Sequence, residues 1–216
     1  MPPWFRRVLI FLSFLTNRRI DMAVDRARVA ELVRELILAI GEDPERPGLS
    51  GTPERVATTW QEFFGGVGMD ETEPLSHTIS VSHGPAPETV PSGAVILRDV
   101  HFRSMCEHHL LPFLGRAHIA YLPGDDVVGL GALPKVVEIL AARPQVQERL
   151  GEQIAETIAT TLNARGALVI LDAQHQCVTA RGGKQVDAST VTIAARGELA
   201  EPAARAELIA LIGRGA

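Results

Sequence analysis

The sequence predicts an α+β protein, an antiparallel sheet with helices on one face. Three observations lead there: strand-like stretches follow one another directly, two helical periodicities are grouped between them, and no internal repeat interrupts the order. A βαβ alternation, the mark of a doubly wound sheet, is absent. With 216 residues and 46% hydrophobic content, the chain can bury a substantial core.

The elements follow in order. Val29, Leu32, Val33, Leu36, Ile37 and Ile40 recur at helical spacing, and Gly41 stops that helix. After a turn-rich link from Glu42 to Gly51, Thr52 caps a second helix with Pro53 at its first position, and Val56, Trp60, Phe63 and Phe64 form its buried face. Gly65 and Gly66 end it. Residues 68–92 read as a loop holding one short strand around Thr78 to Val81, with His77 and His83 on the surface. Ala94 to Phe102 and Arg116 to Leu122 read as strands, and Pro123 to Asp126 as a hairpin turn into Val127 to Leu130. Leu133, Val136, Val137 and Leu140 return to helical spacing until Arg143-Pro144, after which Val146, Leu150, Ile154, Ile158 and Leu162 mark a further helix closed by Gly166. Ala167 to Asp172, His175 to Ala180 and Ser189 to Arg196 are three more strands, and Ala203 to Ile212 is a terminal helix.

The first residues imitate an export signal without completing one. Val8 to Leu15 is far below the roughly 20 apolar residues that span a bilayer, and Thr16 to Asp21 offers no small-x-small cleavage site. The organisation read from the sequence is therefore a non-core extension over 1–21 with Met22 as the start, a helical segment over 22–66 and a catalytic domain over 67–216. A net charge of −5 excludes a general nucleic-acid binder while allowing local cations to receive a small anion. Two cysteines make no disulfide framework. Set among histidines, they point to a reducing cytoplasm and to metal binding.

The chemistry concentrates in Cys106-Glu107-His108-His109. In a helical turn Cys106 and His109 share a face while His108 points elsewhere. A strand over His175 to Ala180 puts His175 and Cys177 on one face. Cys106, His109 and Cys177 make three soft and borderline ligands suited to zinc, and the open fourth position belongs to an ion that activates water. Each residue alone reads better as packing: a lone buried cysteine is usually inert. The combination carries the metal reading. A zinc nucleobase deaminase is a poor alternative because the P-C-x-x-C half of its signature is missing.

Cys106-Glu-His-His-Leu-Leu-Pro-Phe113, Gln145-Val-Gln-Glu-Arg-Leu150, His175-x-Cys177-x-x-x-Arg181-Gly182 and Thr52-Pro53-Glu54-Arg55-Val56, in this spacing, resemble GTP cyclohydrolase I from about Glu42 to Glu198. The resemblance implies a tunnelling fold (T-fold), in which sheets of several subunits close into a barrel by oligomerisation, commonly a homodecamer with active sites between subunits. It implies GTP as substrate, 7,8-dihydroneopterin triphosphate and formate as products, and a place at the start of folate and pterin synthesis. Cys106, His109 and Cys177 would be the Zn2+ ligands, His108 the general acid/base and His175 a second catalytic histidine. Glu148 would hold the guanine edge, with Gln147 beside it also binding substrate, and Arg181 and Lys135, together with Arg55 from a neighbouring subunit, would bind the triphosphate. The chain departs from the family where Gly131-Ala132 replaces a serine and lysine and Lys135 replaces an arginine. A paralogue with another phosphate preference, in a specialised pterin or deazapurine route, and a catalytically silent subunit are the alternatives.

Overall fold

The computed structural model describes residues 24–80 and 93–213. The extension over 1–21, Met22, His83 and Val81 lie outside the described residues. The chain divides into two compact units between Gln61 and Glu62.

In the first unit, helix α1 (Arg26–Ala39) opens on Asp25, whose carboxylate accepts the Arg28 N–H at 2.9 Å. It closes in a Schellman turn: Gly41, at φ 87°, donates to the Leu38 carbonyl while Glu42 donates to that of Ile37. Of the six apolar positions read as its core stripe, Val33 and Ile37 are buried, whereas Leu32, Leu36 and Ile40 are exposed. Helix α2 (Thr52–Phe64) buries Pro53 and Ala57 and leaves Val56, Trp60, Phe63 and Phe64, the face expected to be buried, half-buried.

The second unit is built on a five-stranded sheet. Its strands are β2 (Val95–Cys106), β3 (Pro112–Leu122), β5 (Pro144–Gln145), β6 (Gly166–His175) and β7 (Thr190–Gly197), in the order β5-β2-β3-β6-β7. All pairs are antiparallel except β2 with β5. A bulge between Leu97 and Val100 holds Asp99 at φ 59°, where its N–H meets His118 Nδ1 at 3.3 Å. β1 (Thr78–Ser80) pairs with β4 (Asp126–Val128) in a separate two-stranded ribbon. The turn after β3 therefore feeds β1 and not a hairpin with β3, which already has β2 and β6 on its two edges.

Helices α3 (Ala132–Ala141) and α4 (Gln147–Thr161) cover one sheet face, and the expectation of helices on one face only is corrected by the terminal helix, which packs on the other. Leu133, Val136 and Leu140 of α3 and Leu150, Ile154 and Ile158 of α4 meet the inward residues Phe102, Phe113, Ile119, Val169 and Leu171. Alternation along each strand sends Ala120, Leu168 and Ile170 to the other face, where Leu208 and Ile212 of α6 (Pro202–Gly213) cover part of it. Beyond α6 that face exposes Leu114, Val191 and Ile193. Gly166 does not close α4. The helix ends at Leu162, with Asn163 at φ 46°, and Gly166 opens β6, where a Cβ would sit 2.8 Å from the Leu199 nitrogen. The stretch from His175 to Ala180 is not a strand: β6 stops at His175, and Gln176–Thr179 forms a single helical turn, α5. The cause is local. The Thr179 hydroxyl donates to the His175 carbonyl at 3.2 Å and Ala180 N–H to that of Gln176 at 3.0 Å, so the chain curls as soon as the ladder ends.

Candidate metal centre and substrate site

The site lies where β2 turns into β3 and β6 turns into α5. Cys106 N–H donates to the Leu111 carbonyl and Leu110 N–H to the Cys106 carbonyl, both at 2.9 Å, closing a tight turn with Leu110 at φ 50°. Glu107 N–H donates to the Gln145 carbonyl at 3.0 Å, so the short parallel strand β5 clips this turn to the start of α4. Register does the rest. Phe113 stands opposite His175 across the β3–β6 pair, which brings the end of β6 to the mouth of the β2–β3 turn.

The ligand atoms of Cys106, His109 and Cys177 all lie within 4.8 Å of one another. Cys106 is buried, Cys177 half-buried and His109 exposed, so an ion held there has protein on one side and open space on the other. Two thiols and an imidazole within that span fit a metal ion, and the sulfurs favour a soft or borderline one. Burial raises the Cys177 thiol above its ordinary range, and the neighbouring Cys106 adds to the effect. Cys177 reaches this position through the helical turn of α5, not through a strand face shared with His175.

His175 is stacked on Phe113, ring centroids 4.6 Å apart and planes 5° from parallel. Its Nε2 lies 2.7 Å from Gln147 Oε1. Burial lowers its basicity, and the Glu148 carboxylate partly opposes that shift. Glu148 is exposed in the first turn of α4 and borders a cleft of about 240 Å³ shared with Gly151, Glu152, Thr192, Ile193 and Ala194. Gln147, one residue earlier, is 1% exposed. It turns its amide into the protein, donating to the Leu171 and Thr190 carbonyls at 3.0 and 2.8 Å.

His108 is exposed in the turn beside His109. Arg149 of α4 grips Glu107 with two hydrogen bonds, 2.6 and 3.0 Å, and this bidentate contact holds the Glu107 carboxyl below its usual range. The candidate phosphate residues are more scattered. Arg181 is exposed just beyond α5. Lys135, on α3, lines a separate cleft with Glu62, Glu73 and Glu138. Arg55, in the first unit, donates to the Thr52 hydroxyl at 2.9 Å. Sequence reasoning missed Phe113 as the partner of His175 and the Glu107–Arg149 pair. Both sit inside the motifs that stand out, but nothing in their spacing shows which residues across the sheet they meet.

Sheet, helices and a Cys-His-Cys cluster define an α+β protein with a site that could hold a metal ion. Comparison with known proteins makes this specific: the chain belongs to the GTP cyclohydrolase I family, whose model matches residues 29–213. Among its relatives, GTP cyclohydrolase 1 of Leifsonia xyli subsp. xyli is 62% identical over 192 residues, 89% of this chain and 97% of that protein. The GTP cyclohydrolase 1 of Carboxydothermus hydrogenoformans is 46% identical, covering 88% and 96%. That of Bacillus subtilis is 43% identical, covering 88% and 97%.

Proposed function

We propose that this chain is a zinc-dependent GTP cyclohydrolase I, converting GTP and water to 7,8-dihydroneopterin triphosphate and formate at the entry to folate and pterin synthesis. The observation that carries the reading is the meeting of Cys106, His109 and Cys177 in one ion-sized space beside His175 and the start of α4. Zinc bound there supplies a Lewis acid that activates water. The remaining chemistry belongs to the side chains around it. His108, exposed in the metal turn, takes and returns protons at the imidazole ring of guanine, and His175 acts as a second acid/base. Glu148 accepts hydrogen bonds from the adjacent ring and exocyclic N–H groups of guanine, a pairing that a carboxylate can satisfy with two oxygens. Arg181 and Lys135, with Arg55 supplied by a neighbouring subunit, are the cations for the triphosphate.

In this reading the helical segment is 22–66 and the catalytic domain 67–216, and copies of the chain assemble into a T-fold barrel, a decamer whose active sites lie between subunits. The apolar surface of Leu114, Val191 and Ile193 supports assembly, because it lies beyond the cover of α6 on an otherwise packed sheet. Among the described residues no helix is long and apolar enough to cross a membrane. Two free thiols at the site suit a reducing cytoplasm.

A second reading, a relative that prefers fewer phosphates, rests on Lys135 lying among three carboxylates and on the small residues Gly131 and Ala132. One assay separates them. Purified zinc-loaded protein is incubated with GTP, GDP and GMP while formate release and pterin fluorescence are followed. Turnover of GTP with both signals is expected. Formate without pterin would indicate ring opening alone, and no formate from any nucleotide would refute the proposal.

A further inference from the structure

The turn that carries Cys106 and His109 is tied to the start of α4 through the residue between them, Glu107. Its N–H donates to the Gln145 carbonyl at 3.0 Å, and its carboxylate accepts two hydrogen bonds from Arg149, 2.6 Å from Nη1 to Oε2 and 3.0 Å from Nη2 to Oε1. The segment that receives these bonds is itself well anchored. Gln145 is 2% exposed, and its amide donates to the Leu140 carbonyl of α3 at 3.0 Å and to Gln153 Oε1 of α4 at 2.8 Å. The turn is less secure. Cys106 still pairs with Gln145 in the sheet, but His109 is exposed beyond the ladder, and Leu110 follows it at φ 50°, a left-handed conformation that a residue with a Cβ keeps only where its surroundings impose it. Successive helical residues point about 100° apart, so the opening of α4 faces three ways. Gln147 turns into the protein, Glu148 borders the cleft, and Arg149 reaches the metal turn.

We propose that Arg149 is a positioning residue that, through Glu107, holds the metal-bearing turn in a fixed place relative to Glu148, so that one turn of α4 sets both the ion and the guanine-binding carboxylate. This rests on the cyclohydrolase reading for what the two are used for. Stability alone is a poor reason for the pair. The Arg149 and Glu107 side chains are 47% and 32% exposed, and ion pairs that open to water contribute little to folding. A two-pronged contact does something a single charge cannot: the planar guanidinium fixes the direction of the carboxylate as well as its distance. Because Glu107 stands between Cys106 and His109 in the chain, that direction is passed to both through the backbone, and His109, outside the ladder, depends on it more.

The test is a double-mutant cycle on the full-length protein with Arg149→Met and Glu107→Gln. It is read first in zinc affinity, by competition with a chromophoric chelator in the absence of nucleotide, and then in GTP turnover at saturating zinc. Each single variant should bind zinc about tenfold more weakly and lose kcat about tenfold, with KM for GTP changed less than about threefold. Two residues that act as one unit are not additive, so the double variant should also fall about tenfold and not about a hundredfold. The melting temperature of the metal-free protein should move by no more than about 4 °C, the scale of an exposed ion pair in a chain of this length. Should Arg149→Met fail to fold, Glu107→Gln, which keeps the shape of the side chain, still decides the question through its zinc affinity. Wild-type zinc affinity in the variants would overturn the proposal. So would losses that multiply in the double variant, and a rise in KM with kcat intact would make Arg149 a direct substrate contact instead. Because zinc is titrated without GTP, coupled losses of zinc affinity in a protein that does not turn over GTP count against the cyclohydrolase reading and not against this one.

Discussion

Phe113 makes two aromatic contacts of different consequence, and replacing it with leucine separates them. One is edge-on to Phe102, centroids 6.0 Å apart at 78°; the other is the parallel stack on His175 at 4.6 Å. Leucine nearly conserves volume, so the cavity term is small, and the loss is chiefly the two ring contacts at about 0.5 to 1.5 kcal/mol each. Together they come to about 1 to 3 kcal/mol, which for a chain of this length lowers the melting temperature by roughly 2 to 12 °C. Phe102→Leu removes the edge contact alone and should cost about half as much. Activity should divide the two variants further. Once His175 is free to tilt, Phe113→Leu should lose kcat for GTP by about tenfold or more, whereas Phe102→Leu should stay within about twofold of the parent. Differential scanning calorimetry beside steady-state kinetics below either transition would measure both quantities. If the two variants lost kcat equally, or if Phe113→Leu melted lower yet turned over normally, the stack would be core packing without influence on the histidine.

Cys177→Ala should lose metal on dialysis as well as turnover, since three protein ligands leave no redundancy, whereas His108→Ala should keep its metal and lose about a hundredfold in rate; metal analysis beside formate release checks both. Gly131 is exposed at the start of α3 and a Cβ there would meet nothing within 4 Å, so Gly131→Ser fits without steric cost, while Ala132→Lys must lead its stem away from the core against which Ala132 packs. A restored charge-assisted contact of about 1.5 to 3 kcal/mol should lower KM for GTP about ten- to a hundredfold and leave GMP nearly unchanged; an equal effect on both would show that the loop does not touch phosphate. Arg143 donates to the Gly66 and Met69 carbonyls at 2.8 and 2.7 Å and to Glu71 at 2.9 Å, so Arg143→Ala should cost about 2 to 4 kcal/mol in urea unfolding. That bond from Arg143 lowers the Glu71 pKa, so its stabilisation is complete above the ordinary carboxylate range and is lost as pH falls through the lowered value. The gap between wild type and Glu71→Gln should therefore be widest at neutral pH and close in acid.

Local pattern determined much of this protein. Apolar spacing placed α3 and α4 to within a residue or two, because a helix buries one stripe and the stripe is written at a fixed period. The density of thiol and imidazole in Cys106 to His109 marked this turn as a candidate metal site before any contact was known, since few packing roles need those residues together. Other features depended on partners distant in sequence. Whether Leu32 and Leu36 are core cannot be read from their period, which states which face is apolar and not what covers it. The segment after Pro123 carried a sound strand signal, yet its partner is β1, a choice made by the occupied edges of β3. Composition likewise allowed a strand through Cys177. There the end of the β6 ladder and the Thr179 hydroxyl decided otherwise, and the resulting turn carries the thiol to Cys106 and His109. Gln147 and His175 were both visible in motifs, but the direction of the Gln147 amide is set by which carbonyls the sheet register places opposite it. Only the folded chain brings Leu171, Thr190 and Gln147 together, because hydrogen-bond direction depends on spatial neighbours and sequence spacing encodes only neighbours along the chain.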